Sequence, residues 1–107
     1  MKVQFKTNEL KHFYVTPLDE LKGKLPFQRE VIKHYKKKIQ LLIAADSIDE
    51  LGYFKSLNFK KLKGKRKSEY SIRLNKQYRL IFTINKKDEK IIFNVLVVEE
   101  ISKHYEK

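Results

Sequence analysis

Residues 70–84 of the chain read YSIRLNKQYRLIFTI, and this stretch decides the fold. Apolar residues alternate with polar ones on both sides of a polar centre, which is the pattern of two half-buried β-strands joined by a turn. A two-residue turn at Lys76 and Gln77 would pair Leu74 with Arg79, and each face of the hairpin would then mix apolar and charged side chains. A three-residue turn that also includes Asn75 gathers the apolar residues on one face. The sequence therefore predicts the three-residue turn.

The same register places two arginines opposite each other on the other face of the hairpin. Arg73 pairs with Arg79, and like charges in that arrangement disfavour folding by roughly 0.2–1 kcal/mol. A phosphate between them would reverse this effect, because each guanidinium donates paired hydrogen bonds to phosphate oxygens. Alternatively, both side chains extend into water at little cost. We expect an anion site here, which Lys61 and Lys63 would extend if they lie on the neighbouring strand with matching parity.

Helical patterns occupy the first half of the chain. After a short strand at residues 2–6, the sequence predicts a first helix capped by Thr7 or Asn8. Pro26 opens a second helix, and residues 46–51 predict a short helical turn that ends at Gly52. The second helix carries one apolar stripe, formed by Phe27, Val31, Ile32, Tyr35, Ile39, Leu42 and Ile43.

Strand patterns occupy the second half. Residues 59–63 predict a short basic strand before the hairpin, and the apolar run at residues 91–98 predicts the central strand of the sheet. Residues 99–107 are short and polar. The order β-α-α-β-β-β-β predicts an α+β fold in which two helices, plus the short helical turn, pack on one face of a small, mainly antiparallel sheet that includes the N-terminal strand. We expect a single domain over residues 1–107.

The charge of the chain restricts its function. It has 107 residues and a formal net charge of +12. Residues 55–82 contribute +9 of that charge, since ten basic residues stand there with Glu69 as the one acid. Such a patch predicts a polyanionic partner, most commonly nucleic acid, although a lysine-rich composition can also arise without one. The chain has no cysteine and no long apolar run, so we expect a cytoplasmic protein without disulfides, thiolate metal sites or a membrane span.

Two segments resemble a known family. Residues 62–82 read LKGKRKSEYSIRLNKQYRLIF, which resembles the L-K-G-x-(R)-x-x-x-Y/W-S-I-R-x-N-x-x-Y/W-R-I-x-F core of HigB-like toxins. These toxins belong to the RelE/ParE superfamily of type II toxin–antitoxin systems. Residues 98–105, VEEISKHY, are similar to a common ending in that family.

The resemblance implies a RelE-like fold and a function. It implies a ribosome-dependent mRNA interferase, an endoribonuclease that cuts messenger RNA in the ribosomal A site without a metal or other cofactor. Its partners would be the ribosome, messenger RNA and a helix-turn-helix, HigA-like antitoxin. The catalytic positions carried over are Lys63, Arg73, Arg79, His104 and Tyr105. The RNA-binding positions on and beside the hairpin are Lys60, Lys61, Lys65, Arg66, Lys67, Tyr70 and Lys76.

The proton-transfer groups stay open at this point. His104 has the right side chain for a general base at neutral pH, but a lysine crowded by other cations would also serve. Some family members have a histidine where this chain has Lys60, and some end in Asp-Tyr-His where this chain reads Lys-His-Tyr at residues 103–105. Tyr105 or Tyr70 would stack on a base or donate a proton.

Other functions and other histidine roles compete with this interpretation. ParE-like members of the superfamily act on DNA gyrase, and a basic domain of this size could also bind RNA or the ribosome without catalysis. His12 and His34 stand in separate helical segments with no partner ligand nearby in the sequence, so we assign them structural roles.

Overall fold

A computed structural model of the chain describes residues 1–64, 69–85 and 95–103. Within these ranges the α-helices are α1 (Asn8–Val15) and α2 (Arg29–Ala44). The strands are β1 (Lys2–Phe5), β2 (Lys60–Lys61), β3 (Glu69–Arg73), β4 (Tyr78–Asn85) and β5 (Val95–Lys103). Three short 3₁₀-helices occupy Leu18–Glu20, Ile48–Tyr53 and Lys55–Leu57. The order of helices and strands confirms the prediction. In the part of the chain described here, no helix is long and apolar enough to cross a membrane.

The first helix begins where the sequence predicts. The side chain of Thr7 accepts a hydrogen bond from the backbone N–H of Leu10 at 3.2 Å, which satisfies one of the free donors of the first turn. Leu10 and Phe13 are buried on one side of the helix. At its other end, the Lys36 ammonium of α2 donates to the carbonyls of Tyr14 (2.7 Å) and Thr16 (2.5 Å), so the two helices are joined there.

The second helix begins three residues later than predicted. Its first residue is Arg29, while Phe27 reaches the core from the preceding loop and packs edge-on against Tyr78, with 5.5 Å between ring centroids. Most of the predicted stripe is buried, but Ile43 is 44% exposed and its assignment to the core was wrong. At 100° per residue, Ile43 lies at the margin of the stripe in the last turn of the helix.

One sheet contains all five described strands, in the order β1-β5-β4-β3-β2. β1 runs parallel to β5, and the other neighbours are antiparallel. The apolar face of the sheet contributes Ile72, Leu80, Phe82, Leu96, Val98 and Ile101 to the same core as the buried residues of α1 and α2. The predicted α+β fold, with both helices on one face of a mainly antiparallel sheet, is therefore confirmed.

The hairpin of β3 and β4 has the predicted register. Ile72 pairs with Leu80, and Arg73 pairs with Arg79. The Asn75 side chain organises the turn, because its Oδ1 accepts hydrogen bonds from the backbone N–H groups of Gln77 (2.9 Å) and Tyr78 (2.8 Å). An asparagine that bonds the backbone two residues later is a standard turn former, and here it fixes the length of the connection.

Three predicted strand features were wrong. β2 has two residues instead of the five at positions 59–63. β5 extends to Lys103, so residues 99–103 belong to the sheet and not to a polar terminal segment, while residues 91–94 lie outside the described ranges. β4, not β5, holds the central position. An irregularity beside Phe82 explains how polar residues continue the strand: Ile81 pairs with Glu100 and Phe82 with Val98, which leaves Glu99 as an extra residue.

Replacing Asn75 tests the turn. Asn75→Ala removes the acceptor of two backbone N–H groups, so we expect the free energy of unfolding to fall by about 1 kcal/mol. Asn75→Asp is the matched control because it keeps an acceptor oxygen at the same place, and its unfolding free energy should change by less than about 0.5 kcal/mol. Urea unfolding followed by circular dichroism measures both. Equal stability of the alanine and aspartate variants would contradict a turn organised by the Asn75 side chain.

Candidate functional site

The face of the sheet opposite the helices carries both arginines of the hairpin. Cross-strand pairing places Arg73, Ser71 and Lys60 on this face together with Arg79 and Ile81 of β4. We call it the arginine face. It follows directly from the register: because the apolar residues of the hairpin face the helices, the alternate residues must face the other way.

Arg73 is the exposed member of the arginine pair. Its Nε donates a hydrogen bond to the carbonyl of Asn75 at 3.2 Å, which holds the side chain over the hairpin turn. That bond uses one of the five donors of a guanidinium group. Arg73 is therefore held near the turn by a local contact and stands at the surface, where a ligand can reach it.

Arg79 is built into the protein. Its residue is only 7% exposed, its Nε donates to Ser71 Oγ at 3.0 Å, and one of its terminal nitrogens donates to the carbonyl of Asn58 at 2.7 Å. Asn58 has a left-handed backbone (φ 45°) and ends the 3₁₀-helix that precedes β2. Arg79 thus joins three consecutive parts of the site: β4, β3 and the connection that leads into β2.

The charge of Arg79 is destabilised by its surroundings. Burial lowers the pKa of Arg79 from its ordinary value, and the nearby positive charge of Arg73 lowers that pKa further. An arginine keeps its proton at neutral pH despite such shifts. A bound anion would counter both effects, since it would replace lost hydration and separate two like charges.

The basic residues before β3 divide between the two sides of the sheet. Lys60 pairs with Ser71 and shares the arginine face, whereas Lys61 pairs with Tyr70 and has the opposite parity. Lys61 therefore lacks the matching parity that it would need to extend the arginine face, and Lys60 takes that place. Lys63 follows the end of β2 and is exposed. Together with its neighbours it lines a shallow cleft of about 390 Å³, formed by Lys61, Leu62, Lys63 and Gly64.

The remaining candidate residues are distributed as follows. Lys76 is exposed in the hairpin turn, next to the Asn75 carbonyl that binds Arg73. Tyr70 lies on the helix side of the sheet, where its ring stacks on Phe59 at a centroid distance of 5.7 Å and on Phe82 at 5.9 Å. It is thus on the opposite side from the two arginines. Five candidates lie outside the described residues: Lys65, Arg66, Lys67, His104 and Tyr105.

Sequence reasoning missed the contacts of Arg79 and the acids of β5 that border its face. Ser71 is fully buried, although it lies on the face opposite the apolar residues of the hairpin. The apolar Ile81, which stands among the polar positions of β4, was the available signal that this face is partly covered.

The register of β5 also brings Glu100 opposite Ile81, and the extra residue Glu99 forms an ion pair with Lys6 at 3.2 Å. The face is therefore basic at β2, β3 and the turn, and acidic at β5.

This arrangement suits the binding of a phosphodiester. A fixed, buried guanidinium and an exposed one that lie opposite each other provide donors for the non-bridging oxygens of a phosphate. Among the described residues, no three histidine, aspartate or glutamate side chains form a cluster that could hold a metal ion.

Comparison with known proteins gives one family and a consistent fold. The family model of the RelE-like toxin of the type II toxin–antitoxin system HigB matches residues 3–98. No curated protein sequence matches the chain significantly.

Three solved structures have a similar fold. A YoeB/ParE toxin from Agrobacterium tumefaciens has a TM-score of 0.58 at 13% identity, over 98% of this chain and 100% of that chain. A chain of the YoeB-YefM complex from Staphylococcus aureus has a TM-score of 0.56 at 19% identity, over 98% of both chains. A YoeB dimer from Staphylococcus aureus has a TM-score of 0.50 at 18% identity, also over 98% of both chains.

The structural likeness at these identities establishes the fold alone, and it agrees with the α+β architecture described above. The family match covers most of the chain and includes the whole β3–β4 hairpin, with both arginines. The chain therefore belongs to the HigB family of RelE-like toxins of type II toxin–antitoxin systems.

Proposed function

We propose that this toxin is a metal-independent endoribonuclease that cuts messenger RNA in the ribosomal A site and so inhibits translation. The observation that carries the proposal is the pairing of Arg73 with Arg79 on the arginine face, where Arg79 is fixed by Ser71 and Asn58. A buried cation held by neutral groups beside a second cation is a poor choice for stability alone. It is a good choice for binding a phosphate whose charge increases during a reaction.

RNA supplies its own nucleophile for this chemistry. The 2′-oxygen forms a bond to the adjacent phosphorus, and the bond from phosphorus to the 5′-oxygen breaks. A base takes the proton of the 2′-hydroxyl, and an acid gives a proton to the departing 5′-oxygen. The products are a 2′,3′-cyclic phosphate and a 5′-hydroxyl end.

The two arginines act on the charge of this reaction. In the transition state, negative charge grows on the non-bridging oxygens, and donors already in position stabilise it without reorganisation. Arg79 is in position because its own hydrogen bonds hold it, and Arg73 approaches from the exposed side. Lys60 adds positive charge on the same face. Lys63 and His104 are the candidates for proton transfer.

The partners follow from the same proposal. We propose that the toxin acts in the cytoplasm, that the ribosome presents the messenger RNA to the arginine face, and that a helix-turn-helix, HigA-like antitoxin inhibits the toxin. The YoeB chain from Staphylococcus aureus is in complex with YefM, and membership of a type II family supports an antitoxin for this chain as well.

Replacing Arg73 is the cleanest test of catalysis. It is exposed, and within the described ranges its hydrogen bond is to its own turn, so its removal should disturb the fold little. We expect Arg73→Ala to reduce cleavage by about 10²-fold, the usual effect of losing one preorganised donor. Arg73→Lys should also be impaired, because lysine keeps the charge but lacks the paired donors. Mapping the 5′ ends of cellular messages after induction measures this, with Lys11→Ala on the far side of the protein as the control.

Arg79 is less suitable for that test, because its removal would leave the Asn58 carbonyl and Ser71 without their partner and destabilise the protein. Two results would contradict the proposed nuclease activity. Intact messages with altered DNA supercoiling would indicate a gyrase-directed toxin. Arrested growth with intact messages and normal supercoiling would indicate a non-catalytic binding module.

The dependence of cleavage on pH identifies the general base. If His104 is the base, it must be neutral to accept a proton, so single-turnover cleavage should fall as the pH is lowered. We expect His104→Ala to lower the plateau rate by about 10²-fold and to abolish this decline. The rate is measured on ribosomes that carry one defined message. An unchanged rate and pH profile in His104→Ala would assign the base to a lysine, and Lys63→Ala should then be the inactive variant.

A further inference from the structure

Two adjacent aromatic side chains stand exposed on the connection before β2. Tyr53 is 80% exposed and Phe54 is 50% exposed. Single apolar residues on a protein surface are normal, but neighbouring aromatic rings left in water are typical of a binding surface. Elsewhere in the described residues, the exposed large apolar side chains are the isolated aliphatic Val15 and Ile43.

The hydrogen bonds of this connection place the backbone of Phe54 close to Asn58, a hydrogen-bond partner of Arg79. Phe54 accepts a backbone hydrogen bond from Leu57 at 3.0 Å, and Lys55 accepts one from Asn58 at 3.1 Å. Leu57 is buried and anchors the turn, and Asn58 is the residue whose carbonyl binds Arg79. Phe54 is thus about one turn of 3₁₀-helix, roughly 6–8 Å of rise along the backbone, from Asn58, whose carbonyl accepts a hydrogen bond from Arg79.

The charged residues that follow the aromatic pair in the chain, up to the end of β2, are all positive. Between positions 53 and 64 the chain contains four lysines and no acidic residue: Lys55, Lys60, Lys61 and Lys63. All four are exposed. The acids nearest in the sequence, Asp49 and Glu50, precede the pair, and the Glu50 carboxylate accepts a hydrogen bond from the backbone N–H of Asp46. Exposed aromatic side chains that are followed in the chain by lysines and by a hydrogen-bond partner of Arg79 suit unpaired RNA, in which bases and phosphates alternate.

We propose that Tyr53 and Phe54 form a stacking platform for an unpaired base of the RNA whose phosphate binds between Arg73 and Arg79. The inference rests on the proposed function, because it takes RNA as the ligand of the arginine face. The base lies on the aromatic rings, and the neighbouring phosphates lie near Lys55 and Lys60. Stacking of this kind tolerates different bases, since every base has a flat π-face.

Binding measured on two oligonucleotides tests the platform. The probes are a fluorescein-labelled, fully 2′-O-methylated oligoadenylate, which cannot be cut, and an abasic oligomer of the same length. We expect the double variant Tyr53→Ala/Phe54→Ala to bind oligoadenylate about tenfold more weakly than the wild type, which corresponds to the loss of about one stacked base. Its affinity for the abasic oligomer should be unchanged, and so should the slope of affinity against salt concentration.

Control variants separate stacking from other effects. Tyr53→Leu/Phe54→Leu keeps apolar bulk without a flat face and should lose oligoadenylate affinity as the alanine variant does. Lys55→Ala should weaken binding to both oligomers and reduce the salt slope by about one. Val15→Ala and Ile43→Ala should bind as the wild type does. Binding by each variant is measured at a temperature below the thermal unfolding transition of that variant.

A fluorescence measurement follows the stacking itself. The chain has no tryptophan, so Phe54→Trp introduces a single one. Its fluorescence should be quenched by oligoadenylate and not by the abasic oligomer.

Several results would overturn the platform. If the double alanine variant binds oligoadenylate as tightly as the wild type, or if Phe54→Trp is not quenched, the platform is wrong while the proposed function stands. If the double alanine variant binds RNA normally but no longer binds the antitoxin, the surface is a protein-docking site instead. If wild-type protein binds neither oligomer, alone or on the ribosome, RNA is excluded as the ligand, and both the platform and the proposed function fail.

Discussion

The three-residue turn between β3 and β4 fixes the register on which the site depends. Asn75 holds that turn through two backbone N–H groups, and the register then directs Ile72 and Leu80 toward the helices and Arg73 and Arg79 away from them. A shift of one residue would exchange the faces of either strand, placing arginines in the core and leucines in solvent. The burial of the core and the position of the two guanidinium groups therefore have a single structural cause.

Arg79 converts this register into a rigid site. Burial and the charge of Arg73 both work against its positive charge, and Ser71 and Asn58 compensate with neutral oxygen acceptors. The contact with Asn58 also determines where the connection before β2 runs, and hence where Lys60, Tyr53 and Phe54 stand relative to the sheet. One side chain thus links the arginine face to the connection that contains Tyr53, Phe54 and Lys55. The carboxylates of β5 border the same face and limit its basic area to one side.

Much of this architecture could be predicted from the sequence, because it depends on local patterns. The alternation in residues 70–84 gave the register of the hairpin, the threonine before α1 gave its start, and the spacing of apolar residues gave the buried side of α2. The pairing of Arg73 with Arg79 follows from alternation alone. These predictions need only the periods of strands and helices and the rule that apolar side chains share one face.

Features that depend on contacts between distant segments could not be predicted. The burial of Ser71 and Arg79 requires the Asn58 carbonyl to reach the sheet, which no pattern within β3 or β4 indicates. Whether Lys60 or Lys61 lies on the arginine face depends on where β2 begins to pair with β3. The extension of β5 through Glu99 and Glu100 depends on an extra residue in the strand, and polar side chains at those positions gave the opposite indication.

We propose above all that a phosphate of RNA binds between Arg73 and Arg79. The chain has four arginines, so their side-chain Nε–Hε signals can be resolved in an NMR titration with a 2′-O-methylated RNA that is not cut. Arg29, the first residue of α2, donates to the carbonyls of Leu18 and Leu21 and serves as the internal reference. We predict that the signals of Arg73 and Arg79 shift together as RNA is added while the Arg29 signal stays in place. RNA binding detected at backbone signals, with the Arg73 and Arg79 signals unmoved, would contradict the claim.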